Sequence, residues 1–210
     1  MRHPYATDSE DRTRVPFVLA AIALACAFCI HKLLGPFGLS MPWWVDSPSP
    51  LFLYGLLIFL FDRWCWDWRF VRMIGLVEVP NLSGEWDGLG RSSYDQFATE
   101  RAYTVKIEQT WTRISIRLQS ATSESATLVA ALLLHSVEGE VLSYQYRNEP
   151  KADAVSTMQT HLGTSWLRIS DEGRTLVGKY YSGRGRQNHG SVQLRRRRAV
   201  AAAKGASAKN

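Results

Sequence analysis

Two long apolar runs open the chain, and short runs of alternating polar and apolar residues fill the remainder. Val15 to Leu34, "VPFVLAAIALACAFCIHKLL", carries no charge before Lys32. A helix of that length reaches about 30 Å, the thickness of a hydrocarbon core, so a membrane-spanning helix is predicted over about 15–34. The second run, Leu51–Phe61, is shorter, but Trp43 and Trp44 precede it and Trp64, Trp66 and Trp68 follow. Indoles favour the bilayer interface, and counted between these belts a second crossing is predicted over about 48–68. A buried core helix is the alternative. Pro48 and Pro50 suit a turn and a first helical turn.

A cleaved signal peptide is the rival reading of the first run, because "ALACA" offers small residues and Cys26. Asp8, Glu10 and Asp11 lead into it, however, and apolar sequence continues past Cys26, so an uncleaved helix is expected.

From residue 83 the period changes to two. Strands are predicted near 83–88, 102–109, 113–119, 125–134, 140–147, 161–169, 174–181 and 188–195, with "EGE" (138–140) and "DEG" (171–173) as hairpin turns. Eight short strands without intervening helices imply an antiparallel barrel or sandwich. One face reads Tyr103, Val105, Ile107, Gln109; Ile114, Ile116, Leu118; Leu142, Tyr144, Tyr146, Asn148; His161, Gly163, Ser165, Leu167, Ile169; Leu176, Gly178, Tyr180; Gly190, Val192, Leu194. Thr104, Lys106 and Glu108 face solvent. An interior mixing aliphatics with Tyr, Gln, Asn, His and Gly either bonds to itself or lines a ligand cavity. Gly84-x-Trp86 is how lipocalin-like barrels begin, with the indole on the floor under an Arg of the last strand; here Trp86 and Arg195 are assigned those parts.

The fold class expected is therefore a membrane-anchored all-β protein. Two N-terminal transmembrane helices precede a minimal eight-stranded antiparallel lipocalin-like β-barrel. Residues 1–78 hold an N-tail and the helices, 79–195 the barrel, and 196–210 a disordered basic tail.

Charge refines this picture. The chain has 210 residues and a formal net charge of +6, four of those charges lying in the run Arg195–Arg198. That run is either a solvated end or a contact for anionic headgroups; no DNA- or RNA-reading motif accompanies it. Arg2, Arg12 and Arg14 precede the first helix and Arg63, Arg69 and Arg72 follow the second, while the connection holds Lys32. The positive-inside tendency puts the N-tail and barrel in the cytoplasm, in a multi-pass protein of the cell inner membrane. Cys26, Cys29 and Cys65 lie in or beside the apolar runs and read as small core residues rather than zinc ligands. The barrel carries no mark of an oxidising compartment. The five histidines form no Ser–His–Asp, paired-carboxylate, metal or phosphate-loop pattern, so a binding module is expected rather than an enzyme, with no cofactor.

Read in order, "VPNLSGEWDG" (79–88), "IEQTWTRISIRL" (107–118), "SES" (123–125), "LSYQYRNEP" (142–150), "HLGTSWLRI" (161–169) and "LVGKYYSGRGRQNHGSVQL" (176–194) after two apolar helices resemble one bacterial family. These are the two-transmembrane-helix, β-strand-rich effectors of cyclic-oligonucleotide-based antiphage signalling (CBASS). The resemblance implies a barrel receptor for a cyclic dinucleotide or related cyclic oligonucleotide made by a partner nucleotidyltransferase. It further implies ligand-driven self-assembly of the helices among membrane lipids, disruption of the inner membrane and death of the infected cell. A tethered barrel carrying an apolar or lipid ligand is the alternative.

A cyclic dinucleotide asks for Arg or backbone N–H groups at its phosphates and for aromatic or Arg planes at its bases. Tyr180, Arg184 and Arg186 in "YYSGRGR" offer both, and the resemblance favours phosphate contact by Arg184. Tyr144, Tyr146 and Asn148 share the inner face, as either a ligand surface or a self-satisfied core pair. Gln109 and Trp111 border a hairpin turn as candidate contact and stacking or rim residues, and His161 is an interior candidate or a satisfied barrel histidine.

Overall fold

The computed structural model describes residues 1–34, 49–155, 158–183 and 187–197. Its elements, in chain order, begin with two short strands, β1 (His3–Pro4) and β2 (Ala6–Thr7), and three helices, α1 (Asp11–Leu34), α2 (Ser49–Arg63) and α3 (Arg69–Met73). Eight longer strands follow: β3 (Gly84–Ser92), β4 (Arg101–Gln109), β5 (Arg113–Gln119), β6 (Ser123–Ser136), β7 (Gly139–Pro150), β8 (His161–Ser170), β9 (Thr175–Ser182) and β10 (His189–Arg196).

Strands β3 to β10 each pair with their sequence neighbour, antiparallel throughout, and β10 returns to β3, so the sheet closes into an eight-stranded barrel. Closure removes most of the edge that would otherwise need a partner. The face expected to point inward does so. Val105, Ile107, Ile114, Leu142, Leu167, Leu176 and Leu194 are buried, while Lys106 and Glu108 are exposed.

Trp86 lies on the floor, fully buried, with its indole N–H donating to the Leu82 carbonyl at 3.1 Å. The arginine above it is Arg196, not Arg195. Val192 and Leu194 point inward, so period two carries residue 196 inward and turns 195 out. The Arg196 guanidinium lies 5.9 Å from the indole centroid and donates to the Asn81 and Ser83 carbonyls. The expected tail also starts later, because Arg197 pairs with Asp87 and Glu85 on β3. Residues 198–210 lie outside the described residues.

α1 is about 36 Å long at 1.5 Å per residue. Among the described residues it is the helix long and apolar enough to cross a membrane. Val15, Leu19 and Ala23 recur at four-residue spacing on its buried stripe, where α1 meets α2. Cys26 and Cys29, farther along the helix, are exposed rather than in a core. α2 is shorter than the expected 48–68 crossing: its helix ends at Arg63, and a 3₁₀ turn at Cys65–Asp67 and α3 lead the chain aside.

The N-tail is not a free tail. β1 pairs with β5 and β2 runs parallel to β6, filling the place where β5 and β6 separate below their short pairing at 117–119 and 124–126. Asp8 accepts from the backbone N–H groups of Leu134 and His135, and buried Asp11 accepts from those of Glu78 and Val79. The segment leading into α1 is thereby sewn into the barrel wall. No sequence period announces two-residue strands, which is why this strap was not expected.

Candidate functional site

Along each strand the inner face changes character. Its half nearest the helices is aliphatic and sealed by Trp86. The half farthest from them is aromatic and polar, and it surrounds an open cavity of about 450 Å³. That volume lies in the range of small-molecule sites. Tyr103 on β4, Tyr144, Tyr146 and Asn148 on β7, His161 and Ser165 on β8, and Tyr180 on β9 line it. Ser120–Ser123, in the turn between β5 and β6, form part of the rim.

Tyrosines would fill so narrow a barrel were they not opposed by glycines. Tyr146 stands opposite Gly163 across β7 and β8, and Tyr180 opposite Gly190 across β9 and β10. A Cβ added at Gly163 would come closer than 3.0 Å to the Tyr146 ring, and one at Gly190 equally close to the Tyr180 ring. One at Gly90 would meet Tyr103 at 2.7 Å. Three rings thus rest on bare backbone of the neighbouring strand and leave the middle of the cup open. Alternating Tyr and Gly on one face is the sequence trace of that arrangement.

The phenols stay neutral. Burial, reinforced by nearby Tyr180, pushes Tyr103 up to about 12. Burial likewise raises Tyr144 and Tyr146, although Ser165 and Ser182 hydrogen-bond to them. Near pH 7 these rings therefore offer flat apolar faces and O–H donors. Tyr144 and Tyr146 have centroids 6.0 Å apart at a 53° tilt.

Arg101 is the Arg or Lys lining the cavity among the described residues. Its Nη2 donates to Asp95 Oδ2 at 2.8 Å, fixing the guanidinium at the rim. Against the burial that would raise it, the Thr99 hydroxyl and Arg101 hold the Asp95 carboxyl below its ordinary value. Asn148 is buried and its amide reaches the Met158 sulfur at 3.2 Å, a weak acceptor for a strong donor. His161 keeps Nδ1 within 2.9 Å of the Gln159 carbonyl and turns the ring toward the cavity rim.

Five of the nine candidates from sequence, Tyr144, Tyr146, Asn148, His161 and Tyr180, come together in this cup. Arg184 and Arg186 lie outside the described residues, although Ser182 and Asn188 on either side line the cavity. Gln109 and Trp111 belong elsewhere. Their strand end is the sealed one, and both are committed to the joint between barrel and helices. The Gln109 side chain accepts from Leu82 N–H at 2.8 Å and donates to the Pro80 carbonyl at 3.1 Å. The Trp111 ring meets Phe61 of α2 edge-on, centroids 5.2 Å apart, and carries the Arg12 guanidinium 4.6 Å from its centroid. Asp62 completes the joint: Oδ1 accepts from both the N–H and the hydroxyl of Thr112 at 2.7 Å.

Arg101 was passed over in the sequence, and Tyr103, although placed on the inner face, was not taken as a ligand contact. The signal was present: both share the parity of Val105 and lie at the strand end that Tyr146 and Tyr180 also occupy.

Residues 77–196 match the family model described as "Cap15, cyclic dinucleotide receptor domain", and residues 13–67 match "Cap15, TM helices". The first match takes in the whole barrel and the second both long helices. A curated relative, CD-NTase-associated protein 15 of Yersinia aleksiciae, is 29% identical over 136 residues, 65% of this chain and 64% of the relative. The alignment thus spans less than two thirds of that relative's length.

Proposed function

This chain belongs to the Cap15 family, and from that premise we propose that its barrel binds a cyclic dinucleotide in the tyrosine-lined cup and signals to the membrane helices. The observation that carries the reading is the set of rings resting on glycines around a 450 Å³ opening. Tyr103, Tyr146 and Tyr180 are the platforms for the bases. Arg101 meets one phosphate at the rim, and Arg184 and Arg186 serve the other. Asn148 and His161 contact a base edge or ribose hydroxyl. Each base stacked on an aromatic ring contributes about 1–3 kcal/mol, and a charge-assisted bond to phosphate a comparable amount.

The chain acts by binding, as an effector of CBASS antiphage defence supplied with its messenger by a partner synthase. α1 and α2 both meet the barrel, one through the N-terminal strap and one through Asp62, so an even number of crossings returns the chain to the same side. Together with the arginines flanking the helices, this supports a cytoplasmic barrel on the inner membrane. Ligand favours an assembled state of the helices, which breaches the membrane. It does so only by binding that state more tightly than the dispersed one.

The test is thermal denaturation of the full-length protein in nanodiscs with a panel of cyclic dinucleotides and, separately, with lipids and fatty acids. One cyclic dinucleotide is expected to raise the midpoint progressively with its concentration, equivalent to about 2.7 kcal/mol of stabilisation at a hundredfold excess over Kd. Tyr180→Ala is expected to remove that response. Stabilisation by lipids alone, with no response to any cyclic dinucleotide, would favour an apolar cargo and overturn the reading.

A further inference from the structure

Residues 68–76 lie between the two family matches, which end at 67 and begin at 77. The segment from Trp64 to Ile74 has two sharply different faces. Trp66 and Val71 turn inward and are buried in the core. On the other side Trp64, Trp68, Phe70, Met73 and Ile74 are all more than half exposed, Met73 at 74%.

This outer face is held in place rather than hanging loose. Asp67 accepts from Arg72 Nη1 at 3.3 Å and from Asn81 Nδ2 at 2.6 Å, and Arg72 also donates to the Val79 carbonyl at 3.3 Å. These bonds tie it to the stretch that enters β3. It is also continuous with the outward face of α2, where the Phe59 and Trp64 rings meet edge-on at 5.9 Å. Exposed Arg63 and Arg69 flank the apolar side chains.

Five large apolar side chains on a fixed surface are unfavourable in water, whereas Trp and Phe beside Arg match the headgroup boundary of a bilayer. We infer that Trp64–Ile74 is a membrane-surface foot. Its aromatic face is immersed at the level of the acyl-chain necks, and Arg63 and Arg69 rest on the phosphates of anionic phospholipids. The foot sets the stance of the barrel on the bilayer. It rests on the reading that α1 and α2 lie in the membrane.

The experiment uses the full chain with Cys26, Cys29 and Cys65 changed to Ala and one new cysteine, Phe70→Cys, Phe59→Cys or Ser191→Cys, carrying bimane. Each is placed in vesicles of phosphatidylcholine and phosphatidylglycerol containing lipids with a nitroxide near the headgroup or deep in the chain. The label at 70 is expected to be quenched at least twofold more by the shallow nitroxide than by the deep one. It should also be shielded from aqueous iodide, whereas the label at 191, on the outer barrel wall, should be open to iodide. Arg63→Gln with Arg69→Gln, or removal of phosphatidylglycerol, should reduce the shielding at 70. Lipid quenching at 59 but not at 70 overturns the foot alone, as does cross-linking between copies through 70 without lipid quenching. Absence of lipid quenching at both positions overturns the spanning reading and the foot with it.

Discussion

Gly163 and Tyr146 face each other on neighbouring strands, and the space inside the cup depends on the smaller of the two. A methyl group at 163 has nowhere to go except into the ring, which must swing into the cavity. Overpacking of this kind costs about 1–3 kcal/mol. Gly163→Ala is therefore predicted to leave the β-sheet circular dichroism intact and to weaken cyclic dinucleotide binding by roughly tenfold or more, measured by titration calorimetry. Unchanged affinity would mean that the Tyr146 face is not used. At this scale, parity was legible and position along the strand was not. Alternation alone identified Tyr144, Tyr146 and Tyr180, because a face is a property of neighbouring residues. Gln109 shares that face yet lies at the sealed end, and the alternation does not say which end of a strand is open. Arg196 follows from the same parity that Val192 and Leu194 already announce.

The strands and the long helix were the elements most plainly written in the sequence, since each is a sustained period. The strap and the turn after α2 have no period, being held by long-range bonds. Tyr5 donates to the Trp111 carbonyl at 2.7 Å, and Arg12 lies over both rings. These contacts, with Asp62 and Thr112, bring both ends of the helical pair to the turn between β4 and β5. Removing the Asp62 carboxylate leaves the buried side of Thr112 without its acceptor, a loss of about 1–3 kcal/mol. Asp62→Ala is predicted to raise hydrogen exchange at the Thr112 amide by roughly ten- to a hundredfold. Ligand affinity should hold, because no cavity residue touches Asp62, while ligand-driven helix association measured by cross-linking falls. Exchange unchanged at Thr112 would show that the joint is held by other contacts.

Across the whole molecule, polarity is graded from one end to the other. Apolar helices give way to an aromatic foot, then an aliphatic floor under Trp86, then a tyrosine-lined opening at the far end. β5 joins the two ends of the barrel: its far end carries Leu118 at the cavity and its near end pairs with the strap. The barrel also has an outer groove, lined by Asp87, Leu89, Thr104, Gln193 and Arg195. The most direct test of binding inside the cup is photo-cross-linking of a cyclic dinucleotide bearing an azide on its base to the full-length protein in nanodiscs. Adducts that unlabelled ligand competes away are predicted on Tyr103, on the Tyr144–Asn148 stretch and on Tyr180. Competed adducts confined to Asp87–Leu89 and Gln193, or no competed adduct anywhere, would contradict the account.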